Sequence, residues 1–434
     1  MPHPPEVQDH PAPTAAAAPW WSGITRQQWT ILTLASLGWV FDVFEGQLYA
    51  VLKTPAVRAV LGPGASDQQV NGIAGLTLTC FLAGGAVGGV FFGALGDRWG
   101  RRRVMILTIL MYSVFTALTA MAQTWEQLAV LRFLVALGVG GEWAVAAAIV
   151  AEAFPERART AASGLFHASS GLGVFLAALA GRTIGASDWR AAFWLGLLPA
   201  LLTLWVRRSL PESERWERTA PGTTRGSLPE LWSRTDLRAH ALAAAGLATA
   251  GLAGLWCAAF WAPELVREIL RSQGVMEEGT LRRMASDAVL WMNCGSTAGL
   301  LCFAPVASRL GRRGAFLAYH VGALALVPAT FLGANSYVSA VLLLAALGFA
   351  AVGMHAGYAI YFPELFPTHL RATGAGFCFN VGRVVAAPGP WLMGLLAAQL
   401  GGVRLAACAA GLVYLVGLLC LLFTPETRGR PLPD

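Results

Sequence analysis

Twelve predominantly apolar stretches run along the chain, at residues 28–52, 71–96, 104–122, 126–153, 160–183, 189–208, 239–262, 285–307, 314–333, 337–361, 371–396 and 403–423. Most reach the roughly 20 residues that a helix needs to cross a bilayer. An even number of spans puts both termini on one side. The polar connections set the orientation. Segments 97–103, 154–159, 207–238, 308–313 and the tail after Thr424 are rich in Arg. The opposite side holds Lys53, Arg58, Arg182, Arg190 and Arg404, plus a 263–284 connection in which Arg and Glu balance. The Arg-rich side is therefore expected to be cytoplasmic, with both termini on it. The expected organisation is a disordered, Pro/Ala-rich lead-in at 1–27, not a cleavable signal, and a six-helix bundle at 28–208. A cytoplasmic linker at 209–238, a second six-helix bundle at 239–424 and a cytoplasmic tail at 425–434 follow.

Composition sharpens this reading. Of 434 residues, 56% are apolar and only 13% are charged, against about 25% charged in a soluble domain. The polar skin of a soluble fold is missing, and a lipid-facing surface removes the need for one. The fold class is an all-α membrane protein of twelve transmembrane helices in two pseudo-symmetric halves. A net charge of +7 would suit a nucleic-acid partner, but the basic residues cluster in short connections (Arg98, Arg101 to Arg103; Arg207, Arg208; Arg309, Arg312, Arg313). They form no basic face with interleaved aromatics. The seven cysteines lie in apolar stretches without metal-ligand spacing, so no metal site is expected. No Walker, HExxH, GxSxG or CxxC motif occurs. The expectation is no enzyme and no cofactor, with a proton gradient as driving force. The partners expected are a small molecule and the bilayer, with no nucleic acid, and the chain is expected to be monomeric.

The two halves repeat each other. Gly96-Asp97-Arg98-Trp99-Gly100-Arg101-Arg102 is echoed by Ala307-Ser308-Arg309-Leu310-Gly311-Arg312-Arg313. Glu152-Ala153-Phe154-Pro155 with Arg159 is echoed by Glu364-Leu365-Phe366-Pro367 with Arg371. Pro211-Glu212-Ser213 is echoed by Pro425-Glu426-Thr427. Three matches at nearly one offset point to parallel repeats of six spans, with a substrate site near the midplane between them.

On these residues the chain resembles the major facilitator superfamily over essentially its whole length. Gly93-x-x-x-Asp97-Arg98-x-Gly100-Arg101-Arg102 matches that family's signature between spans two and three, where the resemblance implies a cytoplasmic gate. The gate is expected to comprise Gly93, Asp97, Arg98, Gly100 and Arg101, with Arg309, Gly311 and Arg312 from the second copy. Asp97 and Arg98 are expected to act in it, an acid among arginines that pairs and unpairs as the halves rock, and a basic loop that fixes topology is the expected reading of Arg101 to Arg103. Ser308 stands where Asp97 has its echo, so such a gate is asymmetric. Pro211-Glu212-Ser213-x-Arg215-Trp216 and Pro425-Glu426-Thr427-Arg428-Gly429 look like sugar-porter signatures, yet span seven (Ala239 to Ala262) lacks the glutamines that sugar porters carry there. Gly140-Gly141-Glu142-Trp143, Asp42-x-x-Glu45 and Asn380-x-Gly382-Arg383 resemble instead the sialate, metabolite and aromatic-acid proton symporter families.

Ionisable groups at membrane depth cost roughly 2.5–3.5 kcal/mol on insertion scales and are candidate functional sites. Asp42 and Glu45 share one helix face, and with Glu142 they are the candidate proton-coupling carboxyls. Arg383 lies near mid-span, where a guanidinium needs an anion. That anion is a substrate carboxylate or an acid of the other half. Asn380, Arg132, His167 and His355 complete the candidate substrate-binding set, with the two histidines also reserve proton sites. Arg132 is a possible partner of Asp42 or Glu45. Trp39, Tyr49, Trp143, Tyr358, Tyr361 and Phe379 are candidate cavity aromatics. The expected function is proton-coupled symport of a small organic anion by alternating access, in a bacterial-type inner membrane. The alternatives are proton-coupled efflux, sugar transport or a non-transporting nutrient sensor.

Overall fold

Glycines in the even-numbered spans decide how closely each bundle can pack. In a computed structural model of the chain, Gly84 and Gly88 of span two (Asp67–Trp99) lie against the carbonyls of Phe133 and Leu137 of span four (Trp125–Ala153), where any side chain would collide with backbone. Gly295 and Gly299 of span eight lie in the same way against Ala345 and Phe349 of span ten (Tyr337–Leu365). Small residues four apart let helix backbones approach within a membrane. The recurrence of both pairs in the second half extends the sequence repeat to packing.

The structure describes residues 19–257 and 259–434, without the side chains of Ala186 and Phe260. The expected lead-in therefore lies mostly outside the described residues, and Trp20 to Gly23 form a turn before the first helix. Among the described residues eleven helices are long and apolar enough to cross a membrane. One of them, Glu278–Gly333, is two spans meeting at Gly311, whose φ of 82° interrupts the helix. The twelve spans are Arg26–Leu61, Asp67–Trp99, Arg101–Thr119, Trp125–Ala153, Glu156–Arg182, Trp189–Ser209, Thr235–Cys257, 278–310, 312–333, Tyr337–Leu365, Thr368–Gln399 and Val403–Phe423. Span one is longer than its apolar stretch, because Thr25 and Gln28 form a capping box at its start and the helix continues past Pro55 to Leu61. The linker holds short helices at Glu214–Glu217 and Leu228–Ser233. A further helix, Ala262–Ser272, follows span seven and buries Leu265, Val266, Ile269 and Leu270. Large apolar side chains such as Phe175, Leu201 and Trp391 face outward, each more than 60% exposed, as a lipid-facing surface requires.

The halves meet unevenly. Span eleven lies along span two and the lower part of span four, and span five meets spans eight and ten. The residues that touch belong to the parts of these helices nearest the Arg-rich connections: Gly85 to Asp97, Trp143 to Glu152, Thr160 to Gly171, and Ala372 to Arg383. Contact thus concentrates between mid-span and the Arg-rich face, which is the arrangement of a carrier closed on that face.

Candidate functional site: a closed gate beneath a polar midplane

The closed face is built from the repeated motifs. Gly100 takes a φ of 101° and Gly311 one of 82°, so the chain turns sharply and starts a new helix at once. Each new N-terminus is capped by a distant carboxylate. Glu212 accepts from the backbone N–H groups of Arg101 (2.8 Å) and Arg102. Glu426 accepts from Arg312 (2.9 Å), Arg313 (3.1 Å) and Arg428 (2.8 Å). An anion at a helix start satisfies otherwise unpaired donors and the positive end of the dipole. A β-carbon on either glycine would collide with the capping carboxylate. The sugar-porter-like Pro-Glu-Ser and Pro-Glu-Thr segments therefore hold helices together. Burial pushes the Glu426 carboxyl up, and the three backbone donors outweigh it and hold the group below its ordinary value of 4.5.

Asp97 bridges the two halves. Its carboxylate accepts from the backbone N–H groups of Ala372 (3.2 Å) and Thr373 (2.8 Å) and from the Thr373 hydroxyl (2.5 Å), at the start of the span-eleven helix. Within its own half it pairs with Arg101 at 2.7 Å. Gly93, one turn earlier, meets the Ala372 carbonyl and has no room for a side chain. Arg101 is fully buried. It also reaches Glu152 (2.9 Å) and, across the halves, the Thr368 carbonyl (2.8 Å). Glu152 in turn accepts from Arg371 of the other half at 2.7 Å.

Arg98 departs from its expected place. It donates to the linker carbonyls of Arg225 and Gly226 and does not join Asp97. The turn at Gly100 ends span two and starts the next helix at Arg101, which brings that guanidinium back onto Asp97, whereas Arg98, adjacent to Asp97 on its helix, is turned about 100° away. In the second copy Arg312 holds Glu364 (2.7 Å) and crosses to the Thr160 hydroxyl (2.6 Å). Ser308 bonds only the Ala304 carbonyl of its own helix. Arg309 is exposed, and its carbonyl accepts from Arg428. Glu152, Thr160, Glu364, Thr368, Arg371 and Thr373 went unnoticed as gate residues. The repeated Glu-x-Phe-Pro segments were the signal for two of them, and Arg371 lay in the same echo.

Above the gate, side chains converge at mid-depth. Asp42, Glu45 and Glu142 are buried and form no ion pair within 4 Å among the described residues. Both Glu142 oxygens lack a hydrogen-bond partner, and the carboxyl lies beside Gly38 of span one. Asp42 lies within electrostatic reach of Glu45, Glu142 and Arg383, so the face shared by Asp42 and Glu45 extends to a third acid and a base. Arg383 is half-buried. Its guanidinium lies 5.0 Å from the centre of the Phe379 ring, with one nitrogen against Gly85, and has no acidic partner within 4 Å among the described residues. Asn380 fills the space left by Gly89. Its amide donates to Gly376, and its buried oxygen is unpartnered.

Phe379 stacks on Trp143 of the other half, centroids 4.2 Å apart. Trp143 donates from Nε1 to Nδ1 of His167 at 3.2 Å. His355 stacks on Tyr358 at 5.3 Å, and its Nε2 is buried without a partner. Arg132 stands apart from this group. It is fully buried within the first half, donates to Thr119 (2.7 Å), and lies against the rings of Tyr49 and Phe193. Glu45 is its nearest acidic influence.

The chain matches known proteins in both sequence and fold. Residues 36–280 match the family model "Major Facilitator Superfamily", and residues 217–434 match "Sugar (and other) transporter". The chain belongs to the Major Facilitator Superfamily. Like the rest of this superfamily it is an integral membrane transporter and not an enzyme. It is 32% identical over 417 residues to a probable 4-methylmuconolactone transporter of Cupriavidus pinatubonensis, covering 94% of this chain and 93% of that protein. It is 28% identical over 410 residues to the sialic acid transporter NanX of Escherichia coli, covering 92% and 96%. Its fold is that of the proton:xylose symporter XylE, with a TM-score of 0.74 at 17% identity over 93% of this chain and 97% of that one. For this superfamily member, the twelve-helix fold in two halves is thus supported by both sequence and structure.

Proposed function

We propose that this transporter is a proton-coupled symporter of a small organic carboxylate, with Arg383 as the anchor for the anion. The observation that carries the reading is the state of Arg383: a guanidinium at mid-span, stacked on Phe379, partly open and without an acidic partner. A permanent cation at that depth requires an anion, and its planar fork suits a carboxylate. The names of the related muconolactone and sialic acid transporters support the same class.

Asp42, Glu45 and Glu142 are the proton-coupling groups of this proposal. A charged carboxylate buried without hydrogen bonds is strongly disfavoured, so Glu142 carries a proton while it is sealed against Gly38. Asp42, nearest in influence to Arg383, exchanges a proton as the anion arrives or leaves. The Asp97, Arg101 and Glu152 network, with Gly100 shaping it, closes the cytoplasmic side and parts as the halves rock. His355, Asn380 and the surrounding aromatics complete the cavity, and Arg132 supports Glu45 from behind. The chain sits in an inner membrane with both termini cytoplasmic, acts as a monomer, and uses the proton gradient without a cofactor.

The test is uptake into proteoliposomes under an imposed pH gradient, using labelled benzoate, muconate and N-acetylneuraminate as probes. Gradient-driven uptake of at least one probe is expected, with loss of most of it in Arg383→Ala and Asp42→Asn. Uptake that ignores the gradient, or is unchanged in both variants, overturns the proposal.

A further inference from the structure

Trp143 does two things at once: it stacks across the halves on Phe379, and it donates a hydrogen bond to His167. An indole N–H can only donate. The Nδ1 atom of His167 that receives it, 3.2 Å away, therefore presents a lone pair, and the ring proton resides on Nε2. The rest of the residue is fixed as well. Trp39 donates from Nε1 to the His167 carbonyl at 3.1 Å, and the two rings lie 5.3 Å apart. Among the described residues Nε2 has no protein partner, and it is not among the buried polar atoms closed off from solvent. A donor whose tautomer is set, whose ring is held on two sides and whose proton meets no protein acceptor is built to meet something else.

From here we infer that His167 is a second recognition point: its Nε2–H reads a hydrogen-bond acceptor on the substrate's body while Arg383 takes the carboxylate. This rests on the reading of Arg383 given above and adds to it the substrate's second polar feature. The two points are joined by an aromatic wall. The His167 and Trp143 rings are 6.3 Å apart, the Trp143 and Phe379 rings 4.2 Å, and the guanidinium 5.0 Å from Phe379. Such a wall suits a small planar carboxylate with an acceptor remote from its acid group. Trp143 is a positioning residue in this scheme, acting through His167.

The experiment measures binding of benzoate, nicotinate and isonicotinate to the purified full chain near neutral pH. The three share size, planarity and charge, and differ only in whether, and where, the ring offers an acceptor. One pyridine carboxylate is expected to bind roughly 2- to 10-fold more tightly than benzoate, the span of one net hydrogen bond. His167→Phe should bring that ratio to one, and His167→Gln, which keeps a donor, should restore part of it. Trp143→Phe keeps an aromatic ring for the stack but loses the N–H, so the ratio should fall because Nδ1 can then take the proton. Arg383→Ala should weaken all three ligands. Equal binding of the three by the parent chain, or a ratio that survives His167→Phe, overturns this inference while Arg383-dependent binding leaves the anchor standing. Binding that is absent, or indifferent to Arg383, removes the anchor and this inference together.

Discussion

Replacing Asp97 by Asn tests whether the carboxylate between spans two and eleven holds the Arg-rich face shut. In the closed state it accepts two backbone N–H groups and one hydroxyl from Ala372 and Thr373, at 2.5–3.2 Å. Its charge also faces a helix N-terminus. A net hydrogen bond to a charged group contributes about 1.5–3 kcal/mol, against about 0.5–1.5 kcal/mol for a neutral one. Asn keeps one accepting oxygen and exchanges the other for a donor that faces donors. Arg101 stays anchored by Glu152 and Thr368, so no buried charge is orphaned. The closed state should lose roughly 2 kcal/mol relative to the open one, about a 30-fold shift in their ratio. The reporter is Ser163→Cys. Ser163 is fully buried and its hydroxyl is unpartnered. It lies about one turn from Thr160, which binds Arg312, and next to Gly164, which abuts Ala304. A thiol there reacts with a polar maleimide only when the face opens, so the labelling rate, read at that one cysteine by peptide mapping, follows the open population. An Asp97→Asn rate about 30-fold above the parent is expected. An unchanged rate would refute the role assigned to Asp97.

Three further outcomes follow from the same contacts. Glu426→Gln should flatten the acid limb of the thermal stability profile. A carboxylate held below its ordinary value stabilises the fold above about 4.5 and loses that contribution as pH falls through its folded value; the difference in melting temperature between parent and variant should therefore shrink below that pH. A difference constant from neutral to strongly acid pH would contradict the cap. Gly88→Val and Gly299→Val should each abolish a folded, monodisperse product in size-exclusion chromatography, because the added atoms meet the carbonyls of Leu137 and Phe349. Val at Gly72, which has open space around it, should be tolerated. Deleting residues 432–434 removes the Pro433 carbonyl from Arg371 (2.6 Å) and the Asp434 carboxylate from Arg215 (3.0 Å). Labelling of Ser163→Cys should rise several-fold in that variant, and a parental rate would show that the tail does not brace the gate.

The spans and the repeat were legible because lipid immersion and internal duplication both leave patterns in a single sequence. The Gly84/Gly88 and Gly295/Gly299 pairs carried the same offset and escaped notice because glycine is common in this chain, with 49 in 434 residues. What sequence could not supply were partnerships across long separations. Glu212 and Arg101 are over a hundred residues apart, and so are Trp143 and Phe379. Nothing in a motif says whether Arg98 or Arg101 will turn toward Asp97; the turn at Gly100 decides it.

The departures from symmetry explain why a repeated fold does not give a repeated gate. Both halves use the same frame: a left-handed glycine, a helix start capped by a distant Glu, and an Arg that grips the Glu of the Phe-Pro segment. In the first half Asp97 is added to that frame, and it reaches directly into the helix start of span eleven. In the second half Ser308 turns back on its own helix, and the crossing passes to Arg312 through one neutral hydroxyl, Thr160. A bond from a charged group to a neutral hydroxyl contributes less than a carboxylate facing three donors at a helix end. Separation of spans two and eleven is thus the costlier half of opening the Arg-rich face. It is also the separation that pulls on Phe379 and Arg383, six and ten residues beyond Thr373 on the same helix, so the heavier lock sits on the helix that carries the proposed anion anchor.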